Sequence, residues 1–535
     1  MAYRGVVARL PVGAQGFTGT ANPSQAGPGH LLYVDGAELD QGIIRKEGGA
    51  SRLNETAIGS GATIISGINW SPAASTYYDA IFTSLGDIRR DTGGGVFTHS
   101  YVSGLNVTRD PPPWFLIAGG ESVGAARRLM CFSATNQVKS VSGTADVMAD
   151  VGGPAADWSS AFPTFGVLHS NRVFAGGNAS DPHRIYYSTV GDHTDFVGSG
   201  AGTLSIYPGE GEGIVGALSF RGALIVFKYP RGIYIVQTVD PSPANWGVQV
   251  LTRSVGTLNQ HTIIPIENDV LYMDRFGGIH QLSATNEFGD INTSNLGLTQ
   301  DINPFMRDNI NLSLMRRAQG IWYASKRQCW FSLPRLGSTD NNFRLIVGFN
   351  SFDAEGRQTP RFFMSRRDTP VSMWLRPTSD GIEKPAHGDN AGFIYTMDED
   401  SRNKDNVAYP IRMETSNTDL GFLDQSLATK MKSGQFLELA FEPRGEWFLD
   451  VEIYWDDVLT EIVQFQMGTP SGASLDAFTL DTDVLSSLSV KSIRKRISGS
   501  GRRIRLVIEN IGINQDIAIS DFHLGFVPGD ERTPE

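Results

Sequence analysis

The residues able to do chemistry are scattered through this chain rather than gathered. Gly211-Glu212-Gly213-Ile214-Val215-Gly216 has the G-x-G-x-x-G spacing of a loop that lays its backbone against a pyrophosphate. That loop must open a helix, whereas ALSFRGALIVF follows here with the apolar run of a strand, and Glu210 and Glu212 would repel phosphate. An acidic loop without a cofactor is the expectation. Asp398-Glu399-Asp400-Ser401-Arg402 begins like a calcium loop, yet places Arg402 where an oxygen ligand is needed and Asn403 where Gly would turn the chain. The nine histidines form no HExxH and no close pair, so no metal is expected. Cys131 and Cys329 sit in apolar surroundings (LMCF and QCWF) and read as buried thiols. The densest basic run is KSIRKRISGSGRRIR, with Lys491, Arg494, Lys495, Arg496, Arg502, Arg503 and Arg505 near one hairpin. It reads either as a phosphate or acidic-partner contact or as a solvated strand face, and it lacks the interleaved aromatics that stack single-stranded bases.

The elements that must position these residues are strands. Of 535 residues, 60 are Gly and 26 Pro, and only 19% are charged, which excludes collagen, coiled coil and disorder. No segment approaches the roughly 18 consecutive apolar residues of a membrane span, and MAYRGVVARLPVGAQGF has no apolar core of a secretion signal. The net charge of −12 argues against wrapping DNA, because each phosphate contact needs a cation, but suits a wall along which DNA slides.

A repeat occupies the middle of the chain. FGVLHSNRVFAGG with RIYYST, GALSFRGALIVFK with GIYIVQT, and TIIPIENDVLYMD with GGIHQLS each join apolar strands through a tight polar turn. The turns fall at Asn171-Arg172, Arg221-Gly222 and Asn268-Asp269. A four-stranded unit every ~40–50 residues is the signature of a propeller blade, since one twisted sheet cannot cover both of its faces alone. Weaker copies lie upstream (TYYDAIFTSLGDIRRD; PPWFLIAGG with RRLMCFSATNQVKSV) and downstream (GIWYASKRQCWFSLP with FRLIVGFN; RFFMSRR, VSMWLRP and GFIYTMD). The fold class expected is all-β: a β-propeller of about seven blades, six to eight, over residues 56–400, with a β-sandwich of irregular hairpins as the alternative.

DINPFMRDNINLSLMRR predicts a helix between blades, with Met306, Ile310 and Leu314 on one face. Beyond the polar connector SRNKDNVAYP, residues 401–535 alternate apolar and polar positions, as in Ile504, Leu506 and Ile508, and predict an antiparallel β-sandwich. Residues 1–55 predict an N-terminal strand pair or arm, docked on the propeller or exchanged with a neighbouring subunit.

A propeller invites two other readings. Sialidase-type propellers repeat a Ser-x-Asp-x-Gly-x-Thr-Trp turn, and the nearest stretch, Ser188 to Phe196, lacks that order and occurs once. The paired carboxylates of a glycosidase are not visible in spacing, and no G-x-S-x-G elbow is present, so no enzyme is expected. A host-glycan binding module is the other reading, with Trp322, Trp330 and Trp374 as candidates for an aromatic pocket and blade core as their alternative.

The segments NRVFAGGNASDPHRIYYSTVGDHTDF, GEGEGIVGALSFRGALIVFKYPRGIYIV, NWGVQVLTRSVGT and NDVLYMDRFGGIHQL resemble the propeller tail proteins of tailed bacteriophages, the tail nozzle or hub and the packaged-DNA stabilisation protein. DGAELDQGIIRKEGG and GRRIRLVIENIGINQDIAISDFHLGF are similar to terminal segments of the same group. The resemblance implies a structural virion protein of the tail, made in the host cytoplasm. It implies a ring, commonly of six copies, that contacts the portal, its adaptor and other tail proteins. Such a ring continues the channel for double-stranded DNA, retains the genome and opens for ejection. Glu210 and Glu212 would then line the channel.

Overall fold

The structure, a computed structural model, describes residues 5–20, 26–40, 42–73, 76–119, 127–143, 145–154, 156–209, 213–283, 298–352, 358–378, 381–468 and 490–529. Seven antiparallel sheets follow one another along the chain as blades 1 to 7. They span residues 64–102, 114–150, 165–205, 213–252, 263–281, 319–365 and 372–399. The first strand of each blade is innermost, and these strands lie side by side in chain order until blade 7 meets blade 1. The ring is therefore closed. Among the described residues blade 5 has three strands and blades 1 to 4 and 6 have four each, RFFMS being the outer strand of blade 6 rather than part of the next unit. The sheet of blade 7 has six, its outer strands including Asn403–Lys404 and Val407–Ala408 from beyond the expected propeller boundary.

Local chemistry explains the repeat. The hairpin turns of blades 3 and 4 place Ser170–Asn171 and Arg221–Gly222 at positive φ, the paired left-handed conformation that matches strand twist. The turns of blades 3 and 5, at Ser170–Asn171 and Glu267–Asn268, each fall one residue earlier than the spacing suggested. Between blades, a residue without a side chain receives the neighbour's bulk. A Cβ on Gly67 of blade 1 would lie 2.5 Å from Trp374 of blade 7, and one on Gly166 of blade 3 would lie 2.3 Å from Phe132 of blade 2.

The fourth strand of blade 7 comes from the far end of the sequence. Gly49–Arg52, which fell within the expected N-terminal arm, pairs antiparallel with Ile394–Glu399 and fastens the ring. The helix expected before blade 6 is shorter than its apolar spacing implied. It covers Asn303–Asn309, with Pro304 in its first turn, and ends where Ile310 becomes extended and bridges Arg335. Met306, Ile310 and Met315 are the buried residues, and Leu314 is only half-buried.

The remaining strands build a two-sheet sandwich from both chain ends. Lys432–Phe441, Lys491–Arg496, Ser500–Gly501 and Ala518–Pro528 pair with Val6–Leu10, Ala37–Asp40 and Ile43–Lys46 in a seven-stranded sheet. Ile411–Thr415, Trp447–Trp455, Val458–Met467 and Ile504–Asn510 join Gly16–Phe17 and His30–Asp35 in a six-stranded one. The N-terminal strands join the sandwich, and Gly16–Phe17, His30–Asp35 and Ala37–Asp40 also lie against the outer strand of blade 6. Their alternating apolar residues bury Leu437, Leu439, Phe522 and Leu524 against Leu449, Val451, Ile453 and Phe465. This core continues into blades 5 to 7, partly through Phe17, whose ring meets Phe305 edge-on at 5.2 Å.

A buried ion cluster occupies the junction. Arg344 of blade 6 donates from Nη2 to Glu47 at 2.8 Å and lies 3.2 Å from Asp368, with its guanidinium 4.3 Å from the Trp330 ring. The Tyr409 hydroxyl donates to Asp368 at 2.6 Å, and Lys404 stands 3.7 Å from it. Nearby, Lys326 bridges Glu38 and Asp398 at 2.7 and 2.6 Å. Burial pushes the Glu47 carboxyl up to about 7 despite Arg344, with like charge from Asp368, Glu38 and Asp35 adding to the rise. Burial also opposes ionisation of Asp368, but Arg344, Lys404 and the Tyr409 hydroxyl outweigh it and hold that carboxyl at about 2. Glu47 is the member of the pair that takes a proton.

Two outcomes follow from this packing. Gly67→Ala drives a methyl into Trp374 and should destabilise by ~1–3 kcal/mol, measured as a lower denaturation midpoint. Because folding raises the Glu47 pKa above the ordinary 4.5, its contribution is complete below that pH and is lost as pH climbs through about 7. Glu47→Gln does not titrate, so the variant should gain on the wild type between about pH 5 and pH 8, by up to roughly 3 kcal/mol. Parallel unfolding profiles across that range would show that Glu47 is not the titrating group.

Candidate functional site

The propeller axis is the first place to look, because there the inner strands of all blades converge. It is closed at one end by the connection from blade 1 to blade 2, residues 103–113. Trp114 opens the inner strand of blade 2, and its indole meets the His261 ring edge-on at 4.9 Å. His261 precedes blade 5, on the opposite side of the ring, so this contact crosses the axis. The imidazole Nε2 lies 3.1 Å from the Pro113 carbonyl oxygen. Burial lowers the His261 pKa to about 4, so the ring is neutral near pH 7 and its N–H donates to that carbonyl.

Two ion pairs anchor the same segment to blade 6. Arg317 grips Asp110 with both Nε and Nη2 at 2.9 Å, and Arg109 pairs with Asp340. The hydrogen bonds that Arg317 donates to Asp110 raise its pKa further. Deeper in, the Gln319 amide of blade 6 donates to Ile65 O of blade 1 at 2.8 Å and accepts from Met373 N of blade 7 at 3.3 Å. Among the described residues, the two carboxylates of this crossing, Asp110 and Asp340, are each paired with a guanidinium. The sequence showed this segment only as a proline run before a strand; Arg109-Asp110 beside three prolines was the signal for a fixed crossing.

The basic run is the second candidate. Lys491–Arg496 is the outermost strand of the seven-stranded sheet and pairs with Lys432–Phe441. Alternation sends Lys491, Ile493 and Lys495 to the side of buried Leu437 and Leu439, and Arg494 and Arg496 to the outer face. Arg494 is drawn back onto its own sheet, bonded to Glu438 at 2.7 Å and stacked 4.0 Å over Phe436. Arg505 turns to the other sheet, pairing with Glu414 and lying 4.1 Å from the Tyr454 ring. Asp456 accepts the backbone N–H of Arg502 and Arg503, at 3.0 and 2.9 Å. The side chains of Lys495, Arg496 and Arg502 are exposed and enter no ion pair among the described residues. The run is thus part neutralised and part open.

The other candidates fall into place. Glu210 and Glu212 lie outside the described residues. Trp330 and Trp374 are buried, their indoles donating to Gln328 at 2.8 Å and Asp79 at 3.1 Å, and half-buried Trp322 packs on Phe349. These tryptophans are blade core and form no aromatic pocket. Cys131 and Cys329 are buried, and burial drives both thiols up. Among the described residues, no three His, Cys, Asp or Glu side chains gather to hold a metal ion, and no helix is long and apolar enough to cross a membrane.

No protein-family model and no curated protein matches the chain. Among solved structures, the WD40 β-propeller domain of Doa1 aligns over 65% of this chain and 96% of that domain, at 8% identity and a TM-score of 0.38. The computationally designed Ika8 protein aligns over 65% and 98%, at 11% identity and 0.35. The exo-β-1,3-galactanase from Phanerochaete chrysosporium aligns over 88% and 100%, at 8% identity and 0.28. The chain is a β-propeller by its own ring of sheets, and these likenesses add nothing about activity.

Arg317→Ala removes a two-pronged grip on a partly exposed carboxylate. It should destabilise by ~1 kcal/mol and, more specifically, speed amide exchange in residues 103–113 while leaving the outer strands of the blades unchanged.

Proposed function

We propose that the protein is a structural part of a bacteriophage tail, a nozzle or hub component that continues the DNA channel, retains the packaged genome and opens for ejection. The observation that carries this reading is where the resemblance falls. The similar stretch, residues 162–305, spans blades 3, 4 and 5 in succession and ends inside the following helix, so it follows the architecture rather than a stray motif.

The shut axis sharpens the proposal. Duplex DNA has no way through a single propeller, so its passage runs between copies, at the centre of a homo-oligomeric ring placed below the portal and its adaptor. A net charge of −12 per copy makes that ring strongly negative, and like charge keeps phosphate from adhering to the wall. Retention is then steric. The proposal includes no catalysis, and the burial of Trp330 and Trp374 disfavours glycan capture at those residues.

Imaging of the purified protein and of intact particles tests this. The expected result is a closed ring around an opening wide enough for duplex DNA, present in the tail. A monomer that binds a host polysaccharide and is missing from particles would overturn it.

A further inference from the structure

The sandwich carries opposite charge on its two outer faces. The propeller covers one margin of it, packing blade 6 against Gly16–Phe17, His30–Asp35 and Ala37–Asp40. At the opposite margin Val458–Met467 and Lys491–Arg496 are the outermost strands of their sheets.

On the six-stranded sheet, Leu449, Val451 and Ile453 point inward, which sends Phe448, Asp450 and Glu452 outward. Arg412 answers Glu509 at 3.2 Å and Arg505 answers Glu414, so those charges cancel. Asp450 and Glu452 have no cation: among the described residues, Asp450 accepts from the Gln464 amide and Glu452 from the Tyr454 hydroxyl, both at 2.8 Å. Around them Phe448, Leu459 and Ile462 are 46, 45 and 58% exposed. On the seven-stranded sheet the pattern is inverted. Arg494 is matched by Glu438 and Arg9 by Asp521, leaving Arg496, among the described residues, without a carboxylate beside half-buried Phe436 and exposed Val7. Further along, past Ser500–Gly501, the exposed Arg502 side chain enters no ion pair among the described residues, its backbone N–H alone being held by Asp456.

We infer that the sandwich is the contact between copies of this chain, the Arg496 face of one lying on the Asp450–Glu452 face of the next. The inference rests on the proposed ring and names the surface that builds it. Two different faces on opposite sides of one body make a head-to-tail contact, which repeats until the ring closes. Exposed ion pairs are individually weak, so apolar contact by Phe448, Leu459 and Ile462 supplies affinity while the charges fix orientation and exclude the reversed stacking.

The test uses full-length chains. Arg496→Glu with Arg502→Glu makes both faces acidic, and Asp450→Lys with Glu452→Lys makes both basic. Arg496 and Arg502 are exposed, and Asp450 and Glu452 are half-buried on the outer face. The arginine pair should keep the wild-type unfolding midpoint, the lysine pair should keep a cooperative unfolding transition, and each should weaken assembly at least about tenfold by sedimentation. Mixing the two variants should restore rings of alternating copies, because each junction is complementary again. Added salt should weaken wild-type assembly. Variants that assemble like the wild type, loss without recovery on mixing, or assembly indifferent to salt would each overturn the surface while leaving the ring standing. A wild-type chain that stays single at every concentration and forms no ring in particles would overturn both.

Discussion

Arg344 is the charge on which the architecture turns. Only 2% of its side chain is exposed, and a guanidinium so far from water is tolerable only with carboxylates and an aromatic face around it. Those partners come from three places: Glu47 from the N-terminal crossing, Asp368 from the connection between blades 6 and 7, and Trp330 from blade 6 itself. Removing one partner of such a pair costs ~3–5 kcal/mol, because the other is left buried and unmatched. The cluster lies two residues before the strand that fastens the ring, so the electrostatic junction and the mechanical closure are one feature.

Closure has a second consequence. Many propellers keep a central cavity; here the hole is filled by Trp114, His261 and an arginine-gripped proline segment. Unanswered charge lies instead on the outer faces of the sandwich, at Arg496 on one and Asp450 and Glu452 on the other. Burial of the tryptophans fits the same arrangement, since aromatic bulk is spent on packing blades rather than on a pocket.

The blades were legible because a buried sheet and a tight hairpin leave local marks. ALIVF and VLYM are apolar at successive positions, and Arg221–Gly222 supplies the left-handed turn. What was not legible is long-range. Nothing in GASR says that Gly49–Arg52 completes a blade some 345 residues away, nor does HLLYVD name Ile411–Thr415 as its partner. The helix ended early because Ile310 is held extended by its bridge to Arg335, a tertiary contact that overrides helical spacing. The basic run was visible as composition, but its division into answered and unanswered charges depends on Glu438 and Glu414, which lie on other strands. The shut axis left only prolines and an Arg-Asp pair as its trace.

Both ends of the chain are woven into the same sandwich sheet, Val6 opposite Phe526 and Leu10 opposite Phe522. During synthesis the first strand, Val6–Leu10, must wait for a partner more than 500 residues downstream. At ~5–20 residues per second that is on the order of half a minute to two minutes with an unpaired edge exposed on the ribosome. A polypeptide cut short before Ala518–Pro528 lacks one side of this clasp and leaves Val6–Leu10 without its sheet.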